Sequence, residues 1–336
     1  MIYTWYPIHL CIVVCLTMLP DWSFSQQSPI AIDTLEQAHI KAIHTAEELA
    51  SIGQKPEFPL DGVYSLENDL DLRELDFCPI GNAATPFQGT LYGNHHVLMH
   101  GCIKCNQENT GLFGVVGQKA LIQELYIKDG WVQGKANTGL LVGCNQGVLQ
   151  YCYARGQVAG SDNVGGLVGI NMPSGRIEHA QFTGTIKGRT HEIGGLVGCN
   201  LGYILASRAQ AIVEGVRLVG GLVGTNDETG QILHCVALGT IQGKYWVGGL
   251  VGHNWFKGQV IHCIAKATVI GQEYVGGLVG CNYAQACISK SSSAGTVTGN
   301  KHTGQFVGSN SGMITYNLDI TDTWRNRLEP QVNAWP

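Results

Sequence analysis

Charge is scarce in this chain. Only 13% of its 336 residues are Asp, Glu, Lys or Arg, against the ~25% of an average soluble domain. The 20 basic and 25 acidic residues leave a formal charge of -5, and no run of Lys or Arg occurs. A nucleic-acid binder that neutralises phosphates needs a basic surface, so that class is disfavoured. Proline is also low, at 10 residues, while hydrophobic residues reach 44%. That balance argues against a disordered or collagen-like chain. Beyond the N-terminal segment no stretch reaches the ~18 apolar residues of a membrane span, so no transmembrane anchor is expected in the mature chain.

The first 25 residues stand apart. Ile8 to Leu19 is apolar except for His9 and Thr17, and Pro20, Asp21 and the triplet Ser23-Phe24-Ser25 follow. Such a run is too short to span a bilayer but suits the core of a secretory signal. Residues 2–10 carry no Lys or Arg, so the terminal amine supplies the positive charge. Cleavage after Ser25 is expected, with export to the cell envelope or the medium.

Glycine is abundant, at 46 residues, and it is ordered. Gly-Gly-Leu-Val-Gly occurs at 165–169, 194–198, 220–224, 248–252 and 276–280, with degenerate copies at 139–143 and 304–308. The last Gly of each copy falls at 143, 169, 198, 224, 252, 280 and 308, giving spacings of 26, 29, 26, 28, 28 and 28. A fixed period of this size means stacked structural units.

Other positions keep step with it. Asn follows each copy by two residues, at Asn145, Asn171, Asn200, Asn226, Asn254, Asn282 and Asn310. A large aliphatic comes next (Leu149, Ile177, Ile204, Ile232, Val260, Ile288, Ile314), then mostly small residues including Cys152, Ala180, Cys235 and Cys263. Alternation, β-branched residues and Gly boundaries indicate short strands and tight turns. The reading is an all-β chain, a right-handed parallel β-helix (β-solenoid) with ~27 residues per coil. In such a stack like residues lie over one another, so the asparagines are expected to form a structural ladder. Repeated glycine implies positive φ or close backbone approach at each corner.

These residues resemble the GLUG repeat, named for its Gly-Leu-Val-Gly-like core and found in bacterial surface and secreted proteins, among them adhesin-like chains and immunoglobulin A proteases. The resemblance covers roughly residues 45–317, including Tyr64-x-Leu66, Asn68-Asp69-Leu70-Asp71-Leu72, Pro79-Ile80-Gly81 and Phe87-Gln88-Gly89-Thr90-Leu91. The piece Tyr92-Gly93-Asn94-His95-His96 departs from the family pattern at Tyr92 and His95. The resemblance implies a β-helical scaffold and supplies no activity. The expected organisation is a signal peptide over 1–25, a capping region with a short helix and the first coils over 26–105, repeats over 106–317, and a C-terminal cap over 318–336. Thr45 and Glu48 form a capping box opening the helix. The tail carries Trp324, Arg325, Arg327 and Trp335.

Candidate chemistry is thin. His96, His100, Cys102 and Cys105 are types that zinc accepts. On one extended strand, however, His96, His100 and Cys102 would share a face, with the two histidines roughly 13 Å apart, too far for one ion unless the strand breaks near Gly101, so no metal or other cofactor is expected. His191-Glu192-Ile193-Gly194-Gly195 lacks the second His of a His-Glu-x-x-His metalloprotease helix. Ten cysteines follow Ser25. Cys152, Cys235 and Cys263 fall in the small column, and Cys144, Cys199 and Cys281 share the place after the motif, which favours buried free thiols. Cys102–Cys105 and Cys281–Cys287 are the better disulfide candidates.

The turn before each motif reads Asn137, Asn163, Glu192, Leu218, Trp246, Tyr274 and His302, with Tyr245 beside Trp246 and with Trp255 and Phe256 in the next turn. Exposed aromatics on adjacent coils make a platform for a sugar or a protein; otherwise they cover a coil corner. Tyr245, Trp246, Trp255, Phe256 and Tyr274 are the candidate binding residues, and no catalytic residue is assigned. The carboxylates Asp129, Asp162, Glu178, Glu192, Glu214, Asp227, Glu228 and Glu273 fall in no shared column with basic partners. The interrupted column Thr185, Thr240, Thr268, Thr296 does not suit a flat ice-binding array. The reading is an exported, non-catalytic scaffold for adhesion to a surface glycan or to a host or envelope protein. The alternative is a β-helical carbohydrate-active enzyme, a lyase or hydrolase.

Overall fold

The computed structural model describes residues 40–315. Each sequence period there becomes four short strands. In one coil, Tyr245–Gly248 leads to Val251–Asn254, then Gln259–Ile261, then the longer Ile264–Ile270. The next copy of each strand lies directly above it, and about nine coils build a parallel β-solenoid. Its four faces are two 11-stranded sheets, an 8-stranded sheet carrying the motif and a 6-stranded sheet before it. The sequence period is the register: Val247 pairs with Val275, Val251 with Val279, Asn254 with Asn282 and Val260 with Ile288.

Alternation decides which side chains turn inward. Val247, Leu250, Val251, Val260, Cys263, Ala265 and Val269 of that coil are all fully buried, and their counterparts above and below continue one core. Burying an aliphatic side chain contributes about 1.5–3 kcal/mol, and each coil repeats the set. A helix spans Ala46–Ala50, opened by the Thr45/Glu48 capping box with both reciprocal bonds present. It buries Leu49 and places it in the same core as Tyr64 and Leu66. The signal segment 1–25 and the tail 318–336 lie outside the described residues.

The motif glycines answer to close approach, not to φ, since none of them has a positive φ. A Cβ on Gly248 would lie 1.8 Å from the Val251 carbonyl oxygen, and one on Gly252 would lie 2.6 Å from backbone atoms of Leu218, Val219 and Gly224. The left-handed conformation falls instead on larger residues.

Two smaller expectations also change. His96, His100 and Cys102 do not share one strand: Val97–Met99 and Cys102–Lys104 are separate strands pairing with one long strand, Tyr126–Gln133, and His100 between them has φ +57°. The ten cysteines among the described residues are free thiols, those of the two disulfide candidates included.

Candidate functional site: a ladder edge on the solenoid

At the corner before each motif strand one residue per coil turns left-handed. Asn109, Asn137, Asn163, Glu192, Leu218, Trp246, Tyr274 and His302 all have φ between +49° and +63°. A second corner does the same at Glu124, Tyr151, His179, Ala206, His234, His262 and Lys290, with φ from +47° to +55°. The conformation costs an L-residue roughly 1–2 kcal/mol. Where adjacent coils carry like side chains at the corner, stacking or hydrogen bonding between them offsets it. At the second corner Tyr151 stacks on His179 and His234 on His262, each pair with centroids 4.8 Å apart. At the first corner Asn163 donates to Asn137, and Asn137 to Asn109, both at 2.8 Å.

Toward the C-terminal coils the first corner becomes aromatic. Trp246 stacks on Tyr274 at 5.6 Å and 6°, and Tyr274 on His302 at 4.7 Å and 3°. The Arg217 guanidinium covers Trp246 from the coil before, 4.8 Å from the ring centroid. Across the motif strand Trp255 stacks on Tyr283 at 4.2 Å. His253 lies between the two columns, 6.5 Å from Trp246, 4.6 Å from Trp255 and 6.3 Å from Tyr283.

Rings stacked along the solenoid axis use up their faces on one another and present edges to solvent. The five candidate residues therefore divide. Trp246, Tyr274 and Trp255 are half-buried ladder members. Tyr245 is tilted 52° from Trp246 and is 36% exposed, while Phe256 stands 74° from Trp255 and is 54% exposed. These two have ring faces free of the stack. His253, at 9% exposure, is the polar floor, and burial lowers its pKa to about 4. Arg217, His253 and Tyr283 belong to this surface but are not among the candidates read from sequence. Tyr283 follows Asn282 as Trp255 follows Asn254, so the motif alignment already carried the signal for it.

One coil below Leu218 the same corner is acidic. Burial raises the Glu192 carboxyl, Asp227 and Asp162 add to the effect, and His191 opposes it. Carboxylates separated in sequence are thus within electrostatic reach of one another. His191 Nδ1 is 2.7 Å from Asp162, and the Thr190 hydroxyl donates to the same carboxylate. Asn163 Oδ1, the acceptor at the end of the asparagine run, finds no donor among the described residues.

The seven motif asparagines form an unbroken chain of their own. Each side-chain amide from Asn145 to Asn282 donates to the next Oδ1 at 2.8 Å. Those from Asn145 to Asn254 also bond a carbonyl within their own turn, such as Gly230 for Asn226 and Gly258 for Asn254. All but Asn310 are fully buried. The histidines weighed for metal go to different carboxylates, His96 to Asp69 and His100 to Asp71, both at 3.2 Å.

The geometry defines a class: a parallel β-solenoid whose corners display ladders of like side chains. Within that class the chain carries the GLUG motif, whose family profile matches residues 271–298. A 150-residue stretch is 32% identical to Halomucin of Haloquadratum walsbyi, covering 36% of this chain and 2% of Halomucin. The chain thus spans a small fraction of that relative's length. Among solved structures, a Bacteroides ovatus protein provisionally assigned as an immunoglobulin A1 protease superposes with a TM-score of 0.51 at 15% identity, over 81% of this chain and 83% of that one. At such identity the likeness concerns the fold alone. An IgA1 protease also aligns, at a TM-score of 0.43 and 17% identity, over 78% of this chain and 23% of that one. Among the described residues no helix is long and apolar enough to cross a membrane.

Proposed function

We propose that this chain is an exported, non-catalytic β-solenoid that binds a glycan at the aromatic edge of its C-terminal coils. The observation that supports this reading is the paired aromatic ladder, Trp246–Tyr274–His302 beside Trp255–Tyr283, with Tyr245 and Phe256 turned out from it. Ladder rings fix the edge, and the two tilted rings offer apolar faces to a sugar. Indole N–H, phenol and imidazole groups at the ring edges supply hydrogen bonds to hydroxyls. The solenoid's rigid spacing suits a polymer that repeats along it. The signal-like segment 1–25 and the GLUG motif support export.

A second reading, a carbohydrate-active enzyme, draws on the Glu192 carboxyl, raised by burial with Asp227 and Asp162 beside it. Glycoside hydrolysis uses a pair of carboxyl groups, one of them a proton donor raised by its surroundings. One experiment separates the two. The full chain is incubated with a panel of polysaccharides and matrix proteins, and retention and product release are scored together. Retention of a polysaccharide without products is expected, weakened about tenfold by Phe256→Ala or Tyr245→Ala and abolished by Trp246→Ala. Released oligosaccharides, lost in Glu192→Gln, would replace binding with catalysis. Retention only on a protein, or retention untouched by all three aromatic variants, would remove the glycan edge from the account.

A further inference from the structure

The same corner continues toward the N-terminal coils as a polar cleft of about 570 Å3, with Lys104, Cys105, Glu108, Lys135, Asp162 and Arg189 in its lining. Its cations lack the carboxylate partners that four others among the described residues have. Arg73 faces Asp71, Arg155 faces Asp129, Arg176 faces Glu178 and Lys187 faces Glu214. Lys104, Lys135 and Arg189 have no ion pair or side-chain hydrogen bond among the described residues. Of the two carboxylates in the lining, Asp162 is already held by His191 and Thr190. Glu108 lies exposed.

Placement along the axis limits what these cations can hold. Lys104 pairs in register with Gln133, so Lys104 and Lys135 belong to adjacent coils. Arg189 comes two coils later and is an extra residue in its turn. Glu192 comes four positions after Gly188, where Asn137 after Gly134, Asn163 after Gly160 and Leu218 after Gly215 come three. With coils about 4.8 Å apart, the cations are spread over roughly 14 Å. One small anion cannot reach all three. A chain bearing an anionic group on successive units can. The next coil brings Arg217, paired in register with His191 and stacked on Trp246, so the cleft leads into the aromatic edge.

We propose that this cleft binds the carboxylate or sulfate groups of an acidic polysaccharide whose sugar rings lie on the aromatic edge. The inference rests on the glycan reading of that edge and names its ligand class. Lys supplies a point charge, and Arg supplies a planar fork that matches either oxyanion.

The test measures affinity of the full chain for dextran, dextran sulfate and polygalacturonate of matched length, at low and at raised salt. An anionic polymer is expected to bind at least tenfold tighter than dextran, with an advantage that shrinks as salt screens it. The ratio between the two anionic polymers identifies sulfate or carboxylate as the source. Lys135→Ala combined with Arg189→Ala replaces exposed side chains and should leave the melting curve unchanged while erasing the anionic advantage. Equal affinity for all three polymers, or an advantage that survives the double variant, overturns the proposal. The aromatic reading fails separately. If Trp246→Ala and Phe256→Ala leave every affinity unchanged while the double variant still removes anion binding, the cleft stands without the edge.

Discussion

His253 shows how one side chain reports on its surroundings. It follows Gly252 on the motif strand, at the place taken by Thr225 and Cys281 in neighbouring coils. Burial among Trp246, Trp255 and Tyr283 lowers its pKa from 6.5 to about 4. Between those values the unfolded chain holds a proton that the folded chain refuses. The contribution is therefore present in full above pH 6.5 and is lost as pH falls toward 4. A shift of that size corresponds to roughly 3 kcal/mol. Glu192 acts in the opposite sense, because its raised carboxyl pKa lowers stability as pH rises through it. The readout is accordingly the difference between wild type and His253→Gln in urea midpoints across this range. The wild type should lose stability on acidification by about 3 kcal/mol more than the variant. Parallel curves would mean that the imidazole is open to water.

Strands and turns are the scale at which the sequence was most legible. Period, inward columns and asparagine positions could all be read because each repeats a residue type in register, and the capping helix because its capping box has a local signature. The left-handed corners could not, since Glu192, Leu218, Trp246 and Tyr274 share no chemistry that marks positive φ. That conformation is normally signalled by Gly or Asn, and only Asn109, Asn137 and Asn163 gave the sign. The glycines suggested the reverse assignment, yet crowding explains them. The aromatic candidates were legible as a group, but their division into stacked and tilted rings depends on side-chain angles that spacing does not contain. The asparagine ladder gives a test at this scale. Asn226→Ala leaves Asn254 Oδ1 without its donor and takes one acceptor from Asn200, both buried. A loss of about 2–4 kcal/mol is expected from urea denaturation. Asn310→Ala, at the exposed end of the ladder, should cost under about 1 kcal/mol. Equal losses at the two positions would show that the ladder is not an internal support.

For the solenoid as a whole, stability is a sum of coils and the contacts between them, and every register is set by neighbours one period away. Removing one whole period should therefore leave a solenoid. Excising residues 225–252 joins Gly224 to His253 and takes out 28 residues, the distance between the two motif-ending glycines. Asn200 then meets Asn254, Val223 meets Val279 in place of Val251, and Leu218 precedes Tyr274 at the left-handed corner. All columns survive, so the shortened chain should keep its β circular dichroism and one cooperative melt, at a somewhat lower temperature. Removing only residues 225–238, half that length, sets motif strands against the wrong sheet and should give an unfolded or aggregated chain. Binding should not follow folding here, because the whole-period excision takes away Tyr245 and Trp246 and sets the smaller Tyr274 above Arg217 in place of the indole. A folded chain that no longer retains the polysaccharide would separate the scaffold, which any coil can extend, from the edge, which these particular coils carry. Failure of the whole-period excision to fold would mean that contacts beyond nearest neighbours hold the stack together.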